Sequence, residues 1–352
     1  AIKVDKTPGA DNKVDVTLKF EEQNRNQLTF GAGVSQYDGF FGQLSFQTAN
    51  FMGRGETLTF AIQAGSRAKN YQIAFTEPFL FDRPITAGFD VFKRELRYIN
   101  QFTQKSTGGN VVFGYPLADF TRGFLSYSYE GVTISDLNPL YNDPAFVQGN
   151  PFLADALLQG QGGKRRISKI TPSFVHNTVD NPIFPTAGRR LTVSSDLAGL
   201  GGNVNFVKPR VEGVWYIQQN RRISIGLRGQ FEYLKPYGTT KAIPIFERLV
   251  LGGEYSVRGF DLRSIGPRDP ATALVIGGNK SLVFNFECLI SIAGPVRLVL
   301  FFDAGQVPDF VPQPPPNLDV TGVPSLNPTV ALPDGYRKFT WDGFKTSTGA
   351  EI

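Results

Sequence analysis

Residue types that commonly carry out chemistry are scarce in this sequence. Its 352 residues include one histidine, His176, and one cysteine, Cys288. A lone histidine excludes multi-histidine metal sites and argues against a hydrolytic triad. A lone cysteine excludes an internal disulfide framework and a cysteine zinc cluster. Gly31-Ala32-Gly33 does not lead into a helix, so it is no dinucleotide fingerprint. Asp180, Pro182 and Pro185 read as turn formers. Acid pairs along the chain could suggest glycosidase chemistry, but nothing forms a substrate cleft around them. The reading is of a chain that is not an enzyme and needs no cofactor and no metal. One group stands apart: Val257-Arg258-Gly259-Phe260, an arginine on a glycine hinge beside an apolar side chain. It sits in ERLVLGGEYSVRGFDLRSIGP (247–267), inside a connection long enough that a compact all-β chain seldom carries it without a use.

The elements that must position this group are strands. Alternating segments recur at 26–35, 39–51, 55–65, 70–80, 84–98, 103–117, 122–135, 164–178, 189–199, 204–218, 221–235, 280–292, 296–307 and 344–352. Most are longer than the five or six residues usual in globular sheets. At 221–235, Ile223, Ile225, Leu227, Gly229, Phe231 and Tyr233 share one face and Arg222, Ser224, Gly226, Arg228, Gln230 and Glu232 the other. A strand of about 9–11 residues crosses the hydrocarbon core when tilted, and only a closed barrel satisfies every backbone group in lipid. No run of 18 or more apolar residues offers a transmembrane helix. Aromatic content of 13% with hydrophobic content of 41% suits a barrel better than a helical membrane protein. Length and alternation therefore favour an all-β transmembrane antiparallel barrel over a soluble sandwich.

The connections support that reading. Those after the second, fourth, sixth, eighth, tenth and twelfth strands are short, and the three longest, 136–163, 236–279 and 308–343, all follow odd strands. Short periplasmic turns and long outer loops give this parity when the N-terminus is periplasmic. The Pro-rich stretch 308–335 reads as an extended surface excursion. Phe51, Phe79, Phe81, Trp215, Tyr216 and Tyr237 at strand ends are candidates for interfacial girdles. A net charge of +5, spread rather than striped, argues against nucleic-acid binding. The opening AIKVDKTPGADNKVD lacks the apolar core of a signal peptide, which leaves a cytosolic protein or a piece of a longer precursor. KVDVTLKFEE reads as a half-buried strand, the last of a preceding domain.

Four ordered stretches resemble the outer-membrane β-barrel assembly insertase family, the POTRA-plus-barrel superfamily. LGGEYSVRGFDLRSIGPRD (251–269) resembles its sixth-loop signature, NTVDNPIFPTAGRRL (177–191) its eighth-strand turn, and NFECLI (285–290) and FFDAGQV (301–307) its twelfth and thirteenth strands. TPGADNKVDVTLKFEEQ resembles the end of the last POTRA domain. The resemblance covers almost the whole chain. It implies residues 1–23 as a POTRA end and 24–352 as a barrel of the sixteen-stranded type. Fourteen strands are read, so two more, including an aromatic-ended one, are expected beyond Ile352.

The family further implies a sixth loop folded back into the barrel, with Arg258 on acids of the inner wall. Period-two counting places Glu287 and Asp303 on the more polar series of their strands. A planar guanidinium suits such a role, because it can engage two carboxylates and stays protonated. The implied function is insertion and folding of β-barrel proteins into the outer membrane through a lateral seam, without nucleotide. The seam's first strand would present Asn26, Leu28, Phe30, Gly31 and Gly33. Implied partners are unfolded outer-membrane protein clients, accessory outer-membrane lipoproteins of the assembly complex and the lipid bilayer, with no nucleic acid. Glycines in that strand could serve a weak seam or barrel curvature equally. A TamA-like or organellar insertase, a two-partner secretion transporter and a diffusion porin are the competing readings. Only the porin requires no loop motif.

Overall fold

The structure, a computed structural model, describes residues 2–6, 14–18, 25–99, 101–137, 139–144, 164–240, 242–268, 273–308 and 338–352. Most of the outer connection 136–163 and the Pro-rich stretch 308–335 fall outside these residues. Near the N-terminus, β1 (Ile2–Lys6) pairs antiparallel with β2 (Val14–Leu18) in a separate two-stranded sheet. The sequence pattern gave one strand in this region; Ile2–Lys6 supplies its partner.

All other strands join one antiparallel sheet. They are β3 (Asn26–Ser35), β4 (Gly39–Phe51), β5 (Glu56–Gly65), β6 (Ala68–Glu77), β7 (Thr86–Tyr98), β8 (Phe102–Ala118), β9 (Thr121–Ser135), β10 (Lys164–Asn177) and β11 (Gly188–Ala198). They continue with β12 (Phe206–Gln218), β13 (Ile223–Tyr233), the two-residue β14 (Lys235–Pro236), β15 (Lys280–Ala293), β16 (Val296–Gln306) and β17 (Lys345–Glu351). Each strand pairs with its chain neighbour from β3 to β17, with β14 a side pairing on β12. Strands β3 and β17 are the two edges and do not pair with each other.

Side chains sort by the period of two. Phe60 and Ile62 on β5, Tyr71 and Ile73 on β6, Phe89 and Val91 on β7, and Phe284 and Phe286 on β15 all stand exposed on one face. Such a continuous apolar surface on long strands is the lipid-facing band of a membrane barrel. Cys288 keeps step with Phe286 on that face. The opposite face carries Lys169, Lys208, Arg210, Glu212, Arg228, Glu287 and Asp303, joined by ion pairs.

Three β-bulges, at Ala49/Phe51, Pro116/Ala118 and Ser291/Ala293, all fall just before turns at one rim. An extra residue bends and twists a strand locally, as a closing sheet needs at its ends. The longest turn at that rim, between β10 and β11, is held by Asp180. Its carboxylate accepts from the Thr186 hydroxyl and from the backbone N–H groups of Thr186 and Ala187. Thr186 above all pulls this carboxyl well below the usual range. Loop-length parity is narrower than the sequence suggested. Hairpins β3–β4, β5–β6 and β7–β8 are as short as most turns at the bulged rim, so later connections alone carry the asymmetry. Of the six girdle candidates, Phe79, Phe81, Trp215 and Tyr237 are exposed. Tyr216 is a correction, because it alternates with Trp215 and turns inward to line a cavity beside Arg228 and Glu287.

The apolar core lies inside the curl of the sheet rather than between two sheets. One cluster joins Phe102 and Ile134 to Ile245, Leu274 and Ile276; a second joins Val132, Ile167, Ala198 and Phe206 to Ile243 and Leu249; a third joins Val283 and Val307 to Leu251, Val257 and Ile265. Each packs residues of the 234–279 connection, the sixth loop, against strand ends at the long-loop rim. The loop is therefore the plug. Burying each Ile, Leu or Val contributes about 1.5–3 kcal/mol, so the loop's apolar residues alone anchor it strongly.

Candidate functional site

Isolated bridges Leu249–Gly278, Leu251–Ile265 and Arg268–Val275 fold the sixth loop onto itself before it meets the wall. Gly259 lies at φ +79, a left-handed conformation that glycine adopts without strain, and it turns the chain beside Arg258. Gly305 of β16 permits the close approach. A Cβ there would lie 2.6 Å from a methyl of Val257, so the loop rests directly on the strand backbone.

Arg258 is held from five directions. Its Nη2 donates to Asp303 Oδ1 at 2.7 Å and its Nε to Asp303 Oδ2 at 2.7 Å. The backbone N–H of Arg258 adds a third bond to Asp303 Oδ2 at 3.0 Å. Nη1 donates to Glu287 Oε1 at 2.8 Å and to Glu351 Oε2 at 3.3 Å. The guanidinium also stacks over the Phe301 ring, 3.8 Å from its centroid. Burial opposes the charge, but Asp303 and Glu287 outweigh that and push the Arg258 pKa further above its ordinary value. Short, forked, charge-assisted bonds of this kind are strong and directional.

Asp303 is fully buried, so it needs every bond it has. Asn285 Nδ2 supplies a further one at 2.7 Å and also donates to the Ser256 carbonyl at 2.8 Å. Arg228 Nη1 donates to Asn285 Oδ1 at 3.1 Å and to the Tyr255 carbonyl at 3.2 Å. Asn285 and Arg228 thus read the loop backbone around the motif. Period-two counting placed Asn285 on the same face as Glu287 but gave no reason to single it out. Glu351 lay at the last strand's end, where no pattern marked it.

A second tie was not visible in the sequence. Glu247 is buried, with Oε2 accepting from Lys208 Nζ at 2.6 Å and Oε1 from Lys169 Nζ at 3.3 Å. Asp196 and Glu130 complete the cluster, with Lys208 3.7 Å from Asp196 and Lys169 3.7 Å from Glu130. Burial alone would raise the Glu247 carboxyl, but the two ammonium groups hold it at about 2. Arg263 makes a third tie. It is buried over the rings of Tyr98 and Phe102, at 4.8 and 5.3 Å, with Nη2 donating to the Ile245 carbonyl. Burial lowers the pKa of this arginine.

The residues expected at a seam, Asn26, Leu28, Phe30, Gly31 and Gly33, all lie on β3, an edge of the described sheet, with Leu28 and Phe30 exposed. A Cβ on Gly33 would meet the Phe41 ring at 3.1 Å, so this glycine makes room for a cross-strand aromatic. His176, outside the site, pairs its Nδ1 with Thr121 Oγ1 at 2.9 Å.

A single loop touching β7, β8, β10, β12, β15, β16 and β17 requires a sheet that wraps around it. An apolar outside, a charged inside and a pinned internal loop define a plugged transmembrane β-barrel. The chain belongs to the Omp85 superfamily, whose domain matches residues 50–352. It is 25% identical over 318 residues to the outer membrane protein assembly factor BamA of Neisseria meningitidis, covering 86% of this chain and 39% of that protein. It is 26% identical over 284 residues to a SAM50-like protein of Drosophila melanogaster, covering 76% of this chain and 60% of that one. Among solved structures, BamA from Haemophilus ducreyi lacking POTRA domains 1–3 superposes with a TM-score of 0.69 at 21% identity, covering 87% of this chain and 62% of that one. The chain is thus an outer-membrane β-barrel, and it spans 39% of the length of its Neisseria relative.

Proposed function

We propose that this chain is the barrel of an outer-membrane protein assembly factor, which inserts and folds β-barrel clients through a lateral seam bordered by β3 without nucleotide. The observation that carries the reading is that the Arg258 motif is tied both to the β15–β17 wall and to the turn of the edge strand β3. Arg258 reaches Glu351 on β17 at 3.3 Å, and Gln36 in the β3–β4 turn donates to the Phe260 carbonyl at 3.2 Å. An unpaired edge is a ready template for an incoming strand, and a loop tied to the β3–β4 turn braces that edge from inside. In this reading residues 1–23 end a POTRA domain, the N-terminus is periplasmic, and 24–352 form a barrel completed by further strands. Accessory outer-membrane lipoproteins would be its standing partners.

The similarity to the SAM50-like protein supports an organellar insertase as a second reading, in which the same loop serves the same seam. The test is complementation of a depletion strain by full-length protein carrying Arg258→Ala. Client barrel assembly is expected to fall several-fold more than the amount of folded variant in the membrane. Normal assembly at normal abundance counts against the role.

A further inference from the structure

We propose that the loop-bearing rim holds a binding site for a phosphate group, formed by Arg67, Arg97 and Arg268. These three arginines line one cavity of about 370 Å³ between the sixth loop and the β5–β6 and β7–β8 turns. The register makes two of them neighbours by design. Ala68 pairs with Leu96 at the end of the β6–β7 ladder, and one step beyond, the Arg97 N–H donates to the Arg67 carbonyl at 2.7 Å. Two like charges opposite each other across strands are destabilising unless something of opposite sign lies between them.

The carboxylate nearest in sequence does not serve that purpose. Glu95 faces Lys69 and Lys105 at 3.5 and 3.9 Å. Asp261 is the one acid among the described lining residues, and it accepts from Gln36. Among the described residues the lining therefore has three arginines against one acid. Arg268 spends two N–H groups on the carbonyls of Ser264 and Ala273, and Arg67 one on Gln36, which anchors each and leaves donors over.

Two buried polar atoms in the same lining point to a ligand. The Ser264 hydroxyl and the Gln101 side-chain oxygen are shielded from solvent and have no hydrogen-bond partner. A hydroxyl donates freely, and the Gln101 amide presents its nitrogen instead when turned over. The donors left over on the three arginines fit the oxygens of a phosphate group, whose recognition by guanidinium is forked and charge-assisted, and the Ser264 and Gln101 side chains join them by turning toward the cavity. The same chemistry comes from free phosphate or from the phosphate ester of a lipid headgroup at the barrel rim.

Full-length protein in detergent would be titrated with inorganic phosphate by calorimetry. In parallel, its thermal unfolding would be followed in phosphatidylcholine bicelles with and without phosphatidic acid. The expected result is that Arg97→Gln with Arg268→Gln weakens phosphate binding at least about tenfold, while Asp261→Asn tightens it. If phosphatidic acid stabilises the native protein but not the double variant, the source is a lipid. If only free phosphate binds, it is a soluble anion. An equal response of native protein and variants to both probes, or no response of the native protein to either, overturns the site. Asp261→Asn guards against a double variant that merely misfolds, because a gain in binding requires an intact site.

Discussion

The sixth loop is tied to two separate stretches of the sheet by ion clusters of opposite polarity. At Arg258 the loop supplies the cation and the wall supplies acids, Asp303, Glu287 and Glu351. At Glu247 the loop supplies the acid and the wall supplies cations, Lys208 and Lys169. The Glu247 tie is sealed inside the apolar plug beside Leu249 and Ile243. The Arg258 tie borders an open cavity of about 210 Å³, and Glu287 and Glu351 in it are partly open to solvent. The contrast separates two jobs. A dry tie fixes where the loop sits, whereas a tie whose outer acids, Glu287 and Glu351, are partly open to solvent can respond to changes beside it.

Breaking the dry tie should cost most. Glu247→Ala leaves two buried ammonium groups short of a partner, and removal of one member of a buried cluster costs about 3–5 kcal/mol. Asp196 and Glu130 remain nearby, so we expect a loss near about 3 kcal/mol, read as a lower urea midpoint of the detergent-solubilised barrel. Arg258→Ala strands Asp303, but water can enter from the cavity, and the expected loss is about 2–3 kcal/mol in the same assay.

Acid should sharpen the comparison further. The folded Glu247 carboxyl lies near 2, against an ordinary 4.5. A depressed carboxyl contributes stability that is fully present above its unfolded value and is lost as pH falls through its folded value. The gap in unfolding midpoint between native protein and Glu247→Gln should therefore be flat above about pH 5 and shrink between about 4.5 and 2. The smallest effect belongs to Glu351→Gln. Its side chain is 50% exposed, and pairs of that kind contribute about 0.2–1 kcal/mol. Stability should hardly change, so any altered client assembly in this variant would report on the Arg258–Glu351 contact itself.

How much of this was legible in the sequence follows from the range of each signal. Strand positions are local, because alternation is written in consecutive residues; segments such as 26–35 and 39–51 coincide with β3 and β4. Facing is local too, so Glu287 and Asp303 could be assigned to the inner series. Placing Arg258 against them drew on family resemblance, since nothing near residue 258 encodes which strands it meets. Lys169 and Lys208 meet Glu247 only because the loop crosses the lumen and neighbouring strands bring the two lysines together, and neither fact has a local pattern. Tyr216 was misread for a related reason. Aromatic type and position at a strand end were weighed, while its parity opposite Trp215 decided the matter. Strand β1 escaped because Ile2 and Val4 give only two apolar steps, against the four of Val14, Val16, Leu18 and Phe20.

The central claim is that Arg258 and Asp303 act together to hold the loop on the wall, and a double-mutant cycle measures that directly. Urea unfolding of the native barrel, Arg258→Ala, Asp303→Ala and the double variant yields the coupling free energy. With three bonds between the two residues at 2.7 to 3.0 Å, we expect coupling of at least about 1.5 kcal/mol. Single-variant losses that add to within about 0.3–0.5 kcal/mol would mean that the two side chains do not act on each other, and the pinned-loop account would be wrong.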